Sequence, residues 1–207
     1  MDRFLTILRP RRRGGEHLYA IIGEDPSDVS TLKVLIKRIA NDESLSIKAK
    51  GYAGCAEMLR KGAKQIAIFA NDYDCQRFVV CYDCDNGDPN ERHKEVTIKI
   101  VEKCAAKGIY CILIPIQELE AWILADIAAV SHVFKGWNPD EITNPEAIKD
   151  PKEHLEKLSR TSNRRPRFSH ATHNEVVARH LDLQKVANKC PSFRPLNDLV
   201  LKGVSNL

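Results

Sequence analysis

The residues best suited to chemistry crowd the stretch 79–88, VVCYDCDNGD, where an apolar run ends in Asp83, Asp85 and Asp88 with Cys81 and Cys84 among them. Far upstream, a second apolar run, HLYAIIGED (17–25), ends in Glu24 and Asp25. Carboxylates brought close together repel one another and hold their protons unless a cation offsets them. Magnesium does so with few protein oxygens and several waters, which leaves room for a phosphate. Two such ions roughly 4 Å apart can activate a water and stabilise the leaving oxygen in phosphodiester cleavage. Two other readings stay open on these residues alone. CYDC has the spacing of a C-x-x-C metal or redox pair, and CDNGD is good turn chemistry in its own right. Against the first, a zinc site needs about four ligands and the chain has no second C-x-x-C.

These acids matter only if the elements before them converge. The segment 17–25 reads as a buried strand, and 26–42 as a helix with Pro26 in its first turn and Leu32, Leu35, Ile36 and Ile39 on one apolar face. A weaker strand (46–54), a helix (55–72) and the strongest short strand (77–83) follow. The spacing then predicts a helix over 91–107 with Val96, Ile100 and Val101 inward and Gly108 as its stop. A strand (109–116) and a helix (117–130) complete the series. Strands apolar throughout, with helical crossovers, mean a parallel sheet covered on both faces. In such sheets the functional site lies beyond the carboxyl ends of the strands. Glu24, Asp25, Asp83, Asp85, Gln117, Glu118 and Glu120 should therefore meet at one edge. Alternate residues of an extended strand share a face, so Asp83 and Asp85 point together if the extended geometry persists. After residue 131 the pattern weakens into a helical C-terminal extension, with one helix expected over 173–189 and Val176, Val177, His180, Leu181 and Leu183 near its packed side. His180 reads as a half-buried packing residue, Trp122 as core and PSF (191–193) as a docking element.

Composition bounds the partners. The chain has 207 residues, 43% hydrophobic and 29% charged, with a net charge of +4, a globular composition with room for a real core. The charge is uneven. RPRRR (9–13) and RTSNRRPRF (160–168) are basic, while acid concentrates at 24–28 and 83–91. Basic flanks around an acidic centre suit a polyanion whose reacting phosphate meets bound cations. Arg164, Arg165, Arg167 and His170 are the candidates for nucleic-acid contact, with His173 three residues beyond. No apolar run approaches the ~20 residues that span a bilayer. The seven scattered cysteines read as reduced thiols. A cytoplasmic protein is expected, with no membrane association. No G-x-x-x-x-G-K-[ST] is present, so ATP binding through a P-loop is not expected of this chain.

A strand ending in Glu24, a helix, and a later strand ending in the D-x-D of Asp83 and Asp85 resembles the Toprim domain, shared by topoisomerases, DnaG-type primases, RNase M5-type maturases and overcoming-lysogenization-defect nucleases. IPIQELEAWILAD and HLDLQKVANKCPSF further resemble a group of small stand-alone prokaryotic Toprim-like proteins, some encoded beside an ABC-type ATPase in anti-phage defence loci. The resemblance implies an α/β Rossmannoid fold, with a roughly four-stranded, mainly parallel sheet between helices. It implies a basic arm (1–16), a catalytic core (17–130) and a helical extension packed on it (131–207). It also implies a Mg²⁺- or Mn²⁺-dependent nuclease acting on DNA or RNA, the effector of a defence system working with an ATPase partner, in an oligomeric complex. Glu24 would be a metal ligand or general base, Asp83 and Asp85 would hold Mg²⁺, and Asp28 would be a further acid over the site. Of Glu118 and Glu120, Glu120 is preferred, since both cannot face the site if 117–130 is helical throughout. The sequence departs from the family where Asp25, rather than glycine, follows the glutamate. A rival resemblance is to the D-x-D-G-T of haloacid-dehalogenase-type phosphatases, whose first aspartate is a nucleophile, although DCDNG lacks the threonine. A third possibility is a regulatory subunit whose site is assembled or silenced by its partner.

Overall fold

The computed structural model describes residues 19–160 and 165–204. The basic arm (1–16) and Arg164 lie outside the described residues. Four five-residue strands, β1 (Tyr19–Gly23), β2 (Ile47–Gly51), β3 (Arg77–Cys81) and β4 (Ile109–Leu113), form one parallel sheet in the order β2-β1-β3-β4. The fold is α/β, with helices on both faces and a helical C-terminal region.

Each strand's alternation feeds two cores. Tyr19, Ile21, Val79, Cys81, Cys111 and Leu113 face one side, and Ala20, Ile22, Phe78 and Val80 face the other. Helix α1 (Pro26–Ala40) covers the first face, burying Leu32, Leu35 and Ile36. Helix α2 (Cys55–Tyr73) covers the second with Met58, Ile66 and Phe69, joined by Val96 and Ile100 of the segment after β3. The direction in which strands are added reverses between β1 and β3: α1 leads outward to β2, and α2 returns across the opposite face to β3. The crevice between the ends of β1 and β3 is thus the switch point where such sheets bind ligands.

The C-terminal region completes the first core. After α4 (Glu120–Ala125) come α5 (Pro151–Leu158), α6 (His170–Ala178), α7 (Leu183–Lys189) and α8 (Arg194–Val204). Leu155, Phe168, Val177, Phe193 and Leu196 are buried in the same cluster as Ile21 and Val79. Trp122 is fully buried, its ring edge-on to Phe193 at 5.1 Å, and its indole N–H donates to Ser192 Oγ (2.8 Å). Ser192 Oγ in turn donates to Glu146 Oε1 (2.5 Å), so the PSF turn docks through a satisfied polar chain.

Several elements differ from the sequence expectation. The helix expected over 91–107 is α3 (Pro89–Val96) followed by one π-helical turn (Thr97–Val101). Beyond Val101 no large apolar side chain before Gly108 is available to hold another turn on the sheet. The helix expected over 117–130 is the short α4 and a 3₁₀ turn (Ile127–His132), broken at the non-helical Asp126. The helix expected over 173–189 is two helices. Asp182 is the reason: its side chain caps the N–H groups of Gln184 and Lys185, and its own N–H donates to Asp126 Oδ2 (2.8 Å). With the break, Val176 and His180 face outward, and His180 stacks on His132 at 4.7 Å rather than packing in the core.

Candidate active site at the carboxyl edge of the sheet

Register brings the acids together. Gly23 pairs with Cys81 and Cys81 with Leu113, so the strands end level. Glu24 and Asp83 then stand on either side of the crevice, and the Asp83 N–H donates to Glu24 Oε1 (2.9 Å). Asp25 caps α1 by accepting from the Ser27 N–H (2.6 Å). That fixes the first helical turn, which carries Asp28 inward, only 5% exposed. An acid in the first turn is favoured by the helix dipole, but a buried one is costly without a partner. Glu120, 1% exposed, comes from α4 and accepts from Asn174 Nδ2 of α6 (2.9 Å).

Burial and mutual repulsion show in the protonation of this group. Burial, opposed by the Asp83 N–H and reinforced by Asp85, raises Glu24 to about 7. Asp28 is held well above the ordinary carboxylate range by burial, then by Glu120, Asp25 and Glu24. Asp83 is raised likewise by burial, then by Asp28, Glu120, Glu24 and Asp85. Burial also raises Glu120, although Lys152 and the Asn174 amide oppose it.

Asp85 does not share the buried face of Asp83. The strand ends at Cys81, and Asp85 and Asn86 adopt left-handed backbone (φ 46° and 61°), so the alternation argument stops there and Asp85 is exposed on the rim. Gln117, itself left-handed at φ 64°, clasps this loop. Its carbonyl accepts from the Asp85 N–H (3.1 Å) and its Oε1 from the Asn86 N–H (2.8 Å). A left-handed glutamine is unfavourable on its own and persists only where surroundings hold it. Asp88 caps α3, accepting from the N–H groups of Asn90 and Glu91. Cys81 and Cys84 are buried, and all seven cysteines are free thiols.

Three contributors have no sequence motif: Lys152, Asn174 and Arg92. Lys152, at the start of α5, places its Nζ 3.5 Å from Glu118 Oε1 and donates its N–H to Glu118 Oε2 (2.9 Å). Helix α4 begins at Glu120, so Glu118 precedes it and the two glutamates diverge, one to Lys152 and one to Asn174. Arg92 donates to Tyr82 Oη (2.6 Å) and to the Cys84 carbonyl (3.4 Å), stiffening the loop after β3. Of the basic candidates, Arg165 and Arg167 are exposed. Arg167 lies over the Phe134 ring and donates to the Lys135 carbonyl, and His170 Nδ1 is 3.8 Å from Glu156.

The donor set is all oxygen, which suits magnesium or manganese rather than zinc. One oxygen at the site, Asp83 Oδ1, is buried without a hydrogen-bond partner, as buried polar atoms seldom are. Among the described residues no three histidine, cysteine, aspartate or glutamate side chains form a ready-made metal cage. Also among the described residues, no helix is long and apolar enough to cross a membrane. No curated protein and no solved structure matches this chain. A family model does match, over residues 16–200, most of the length, and the chain belongs to that family, described as a domain of unknown function, DUF4276.

Proposed function

We propose that the chain is a Mg²⁺-dependent, Toprim-type nuclease cleaving phosphodiesters of DNA or RNA, the effector of a prokaryotic defence system that works with an ABC-type ATPase. The observation that carries the reading is the unpartnered Asp83 Oδ1 among Glu24, Asp28 and Glu120 at the sheet's switch point. Asp83, Glu24 and Asp85 would hold the cation, with Asp28 and Glu120 behind them. When bound, Mg²⁺ supplies charge neutralisation and a water of lowered pKa. If Glu24 is not itself a ligand, it would serve instead as the general base beside the cation. Asn174 orients Glu120, and Gln117 fixes the loop that presents Asp85 on the exposed rim, where a nucleic-acid strand would arrive. Arg165 and Arg167, both exposed, would meet backbone phosphates, without base-specific reading.

The lack of a ready-made cage among the described residues favours one second reading: the partner draws the carboxylates into place, so that the chain is silent alone. Cleavage of single- and double-stranded DNA and RNA with Mg²⁺ or Mn²⁺ tests both. Wild type cutting and Asp83→Asn not cutting supports the first. Cutting only in complex with the co-expressed ATPase supports the second. Equal cutting by Asp83→Asn sinks the assignment of the site.

A further inference from the structure

We propose that the cleft between α1 and α6 is a phosphate track, which carries a single strand of nucleic acid away from the carboxylate cluster. This inference rests on the nuclease reading above and gives it a second binding surface.

The cleft has a volume of about 400 Å³, and Val34 is the one apolar residue in its lining. An apolar ligand would find little to hold it there. Lys33, Lys37 and Arg38 of α1 and Arg179 of α6 line it together with Glu43 and Glu175, four cations against two acids. Glu175 is paired with Arg179 (2.6 Å) in an exposed i,i+4 bridge, a kind of pair that is worth little and exchanges readily. Arg38 is held in place: its Nη1 donates to the Ala178 carbonyl at the end of α6 (2.7 Å), which engages one of its five N–H donors. Lys37 Nζ donates to the Glu43 carbonyl (2.7 Å). Lys33 has no hydrogen-bond or ion-pair partner among the described residues. Both walls begin at the candidate active site. On α1, the buried Asp28 comes two residues before Ser30 of the lining, about 3 Å along the helix axis. On α6, the buried Asn174 that holds Glu120 is followed directly by Glu175 of the lining. Lys33 and Lys37 are four residues apart on one face of α1, about 6 Å along its axis, close to the spacing of successive phosphates in an extended strand. A cleft of this volume admits one strand and not a duplex. Ammonium groups on long stems and a fixed guanidinium meet a sugar–phosphate backbone through charge, whatever its bases.

The test is fluorescence anisotropy of a labelled oligothymidylate of about 15 nucleotides with the full chain in chelator, over a series of salt concentrations. Mg²⁺-dependent cleavage of the same strand by wild type is a separate readout. Each lysine that meets a phosphate adds about 0.7 to the slope of log affinity against log salt. Lys33→Ala/Lys37→Ala should therefore bind about tenfold more weakly, with a slope shallower by about 1.4. Lys61→Ala/Lys64→Ala removes the same charge from α2, on the opposite face of the sheet, and should stay within about twofold of wild type. A shallower slope in both double variants, or in neither, overturns the track. Wild type that neither binds nor cuts the strand overturns the nuclease reading and this inference together. Wild type that cuts, while the cleft variant binds undiminished, overturns this inference alone. Binding that falls as expected in the cleft variant, without cleavage by wild type alone or with its ATPase partner, overturns the nuclease reading and keeps the cleft as a nucleic-acid surface. Should the double variant fail to fold, Lys33→Ala decides, since it removes no hydrogen bond or ion pair among the described residues. Its slope should be shallower by about 0.7, and an unchanged slope rejects the track.

Discussion

Replacing Glu24 by glutamine should stabilise the metal-free protein, which is the reverse of what losing an acid at a salt-bridged site does. The substitution is nearly isosteric, and the amide Oε1 can still accept from the Asp83 N–H that Glu24 now holds. Only the charge is lost. The sign follows from proton linkage. Glu24 is raised from 4.5 to about 7, so between those values the folded state binds more protons than the unfolded one. Stability from this group is full below about pH 4.5 and is lost as pH rises through about 7. At about 1.4 kcal/mol per pH unit the difference is at most roughly 3.5 kcal/mol. Glu24 is partly exposed, and solvent screening reduces this to about 1–2 kcal/mol. For a chain of this size that is a Tm difference of about 2–8 °C. Thermal or urea unfolding in a chelator should therefore show Glu24→Gln above wild type at about pH 8, with the gap closing toward about pH 5. Added Mg²⁺ should reverse the order, since wild type gains a ligand-bound state that the variant has weakened. A variant less stable than wild type in chelator at about pH 8 would refute the reasoning, because Glu24 would then be a satisfied structural acid.

Two further outcomes test the frame around the site. Gly51→Ala should destabilise by about 2–4 kcal/mol in urea unfolding: an added Cβ would lie 2.6 Å from Pro26 Cα and 2.7 Å from Pro26 N, backbone that anchors α1 and Asp28. In native alkylation followed by mass spectrometry, Cys55 and Cys104 should react first, since both are only partly buried. Cys111 and Cys190, buried and pushed up to about 12, should react only after unfolding.

The sheet was legible because its signal is local. Ile21, Ile22, Val79 and Val80 are apolar on both faces, and Pro26 marks where α1 starts. The positions of Glu24 and Asp83 follow from strand ends alone, since a parallel register levels them. What escaped was set by long-range contact or by turn chemistry. The neighbours of Asp182 share a helical period that reads as one continuous helix, although an aspartate before Leu183, Gln184 and Lys185 is itself a cap signal. Asp83 and Asp85 would share a face only if extended geometry persisted beyond the strand, yet the DCDN turn prefers left-handed backbone, for which aspartate and asparagine are suited. Lys152 and Asn174 lie 69 and 91 residues beyond Asp83, in a region without a motif. The Asp-Pro-Lys at a helix start was the one hint for Lys152, and nothing local marked Asn174. Only the packing of α5 and α6 against α4 brings them to the acids.

The most direct test of the central claim is anomalous diffraction from crystals soaked in Mn²⁺. A peak in contact with Asp83 Oδ1 and the Glu24 carboxylate, lost in Asp83→Asn, is the result expected if these acids form a divalent-metal site. A wild-type crystal with Mn²⁺ elsewhere, or none at the carboxyl edge of β1 and β3, would contradict it.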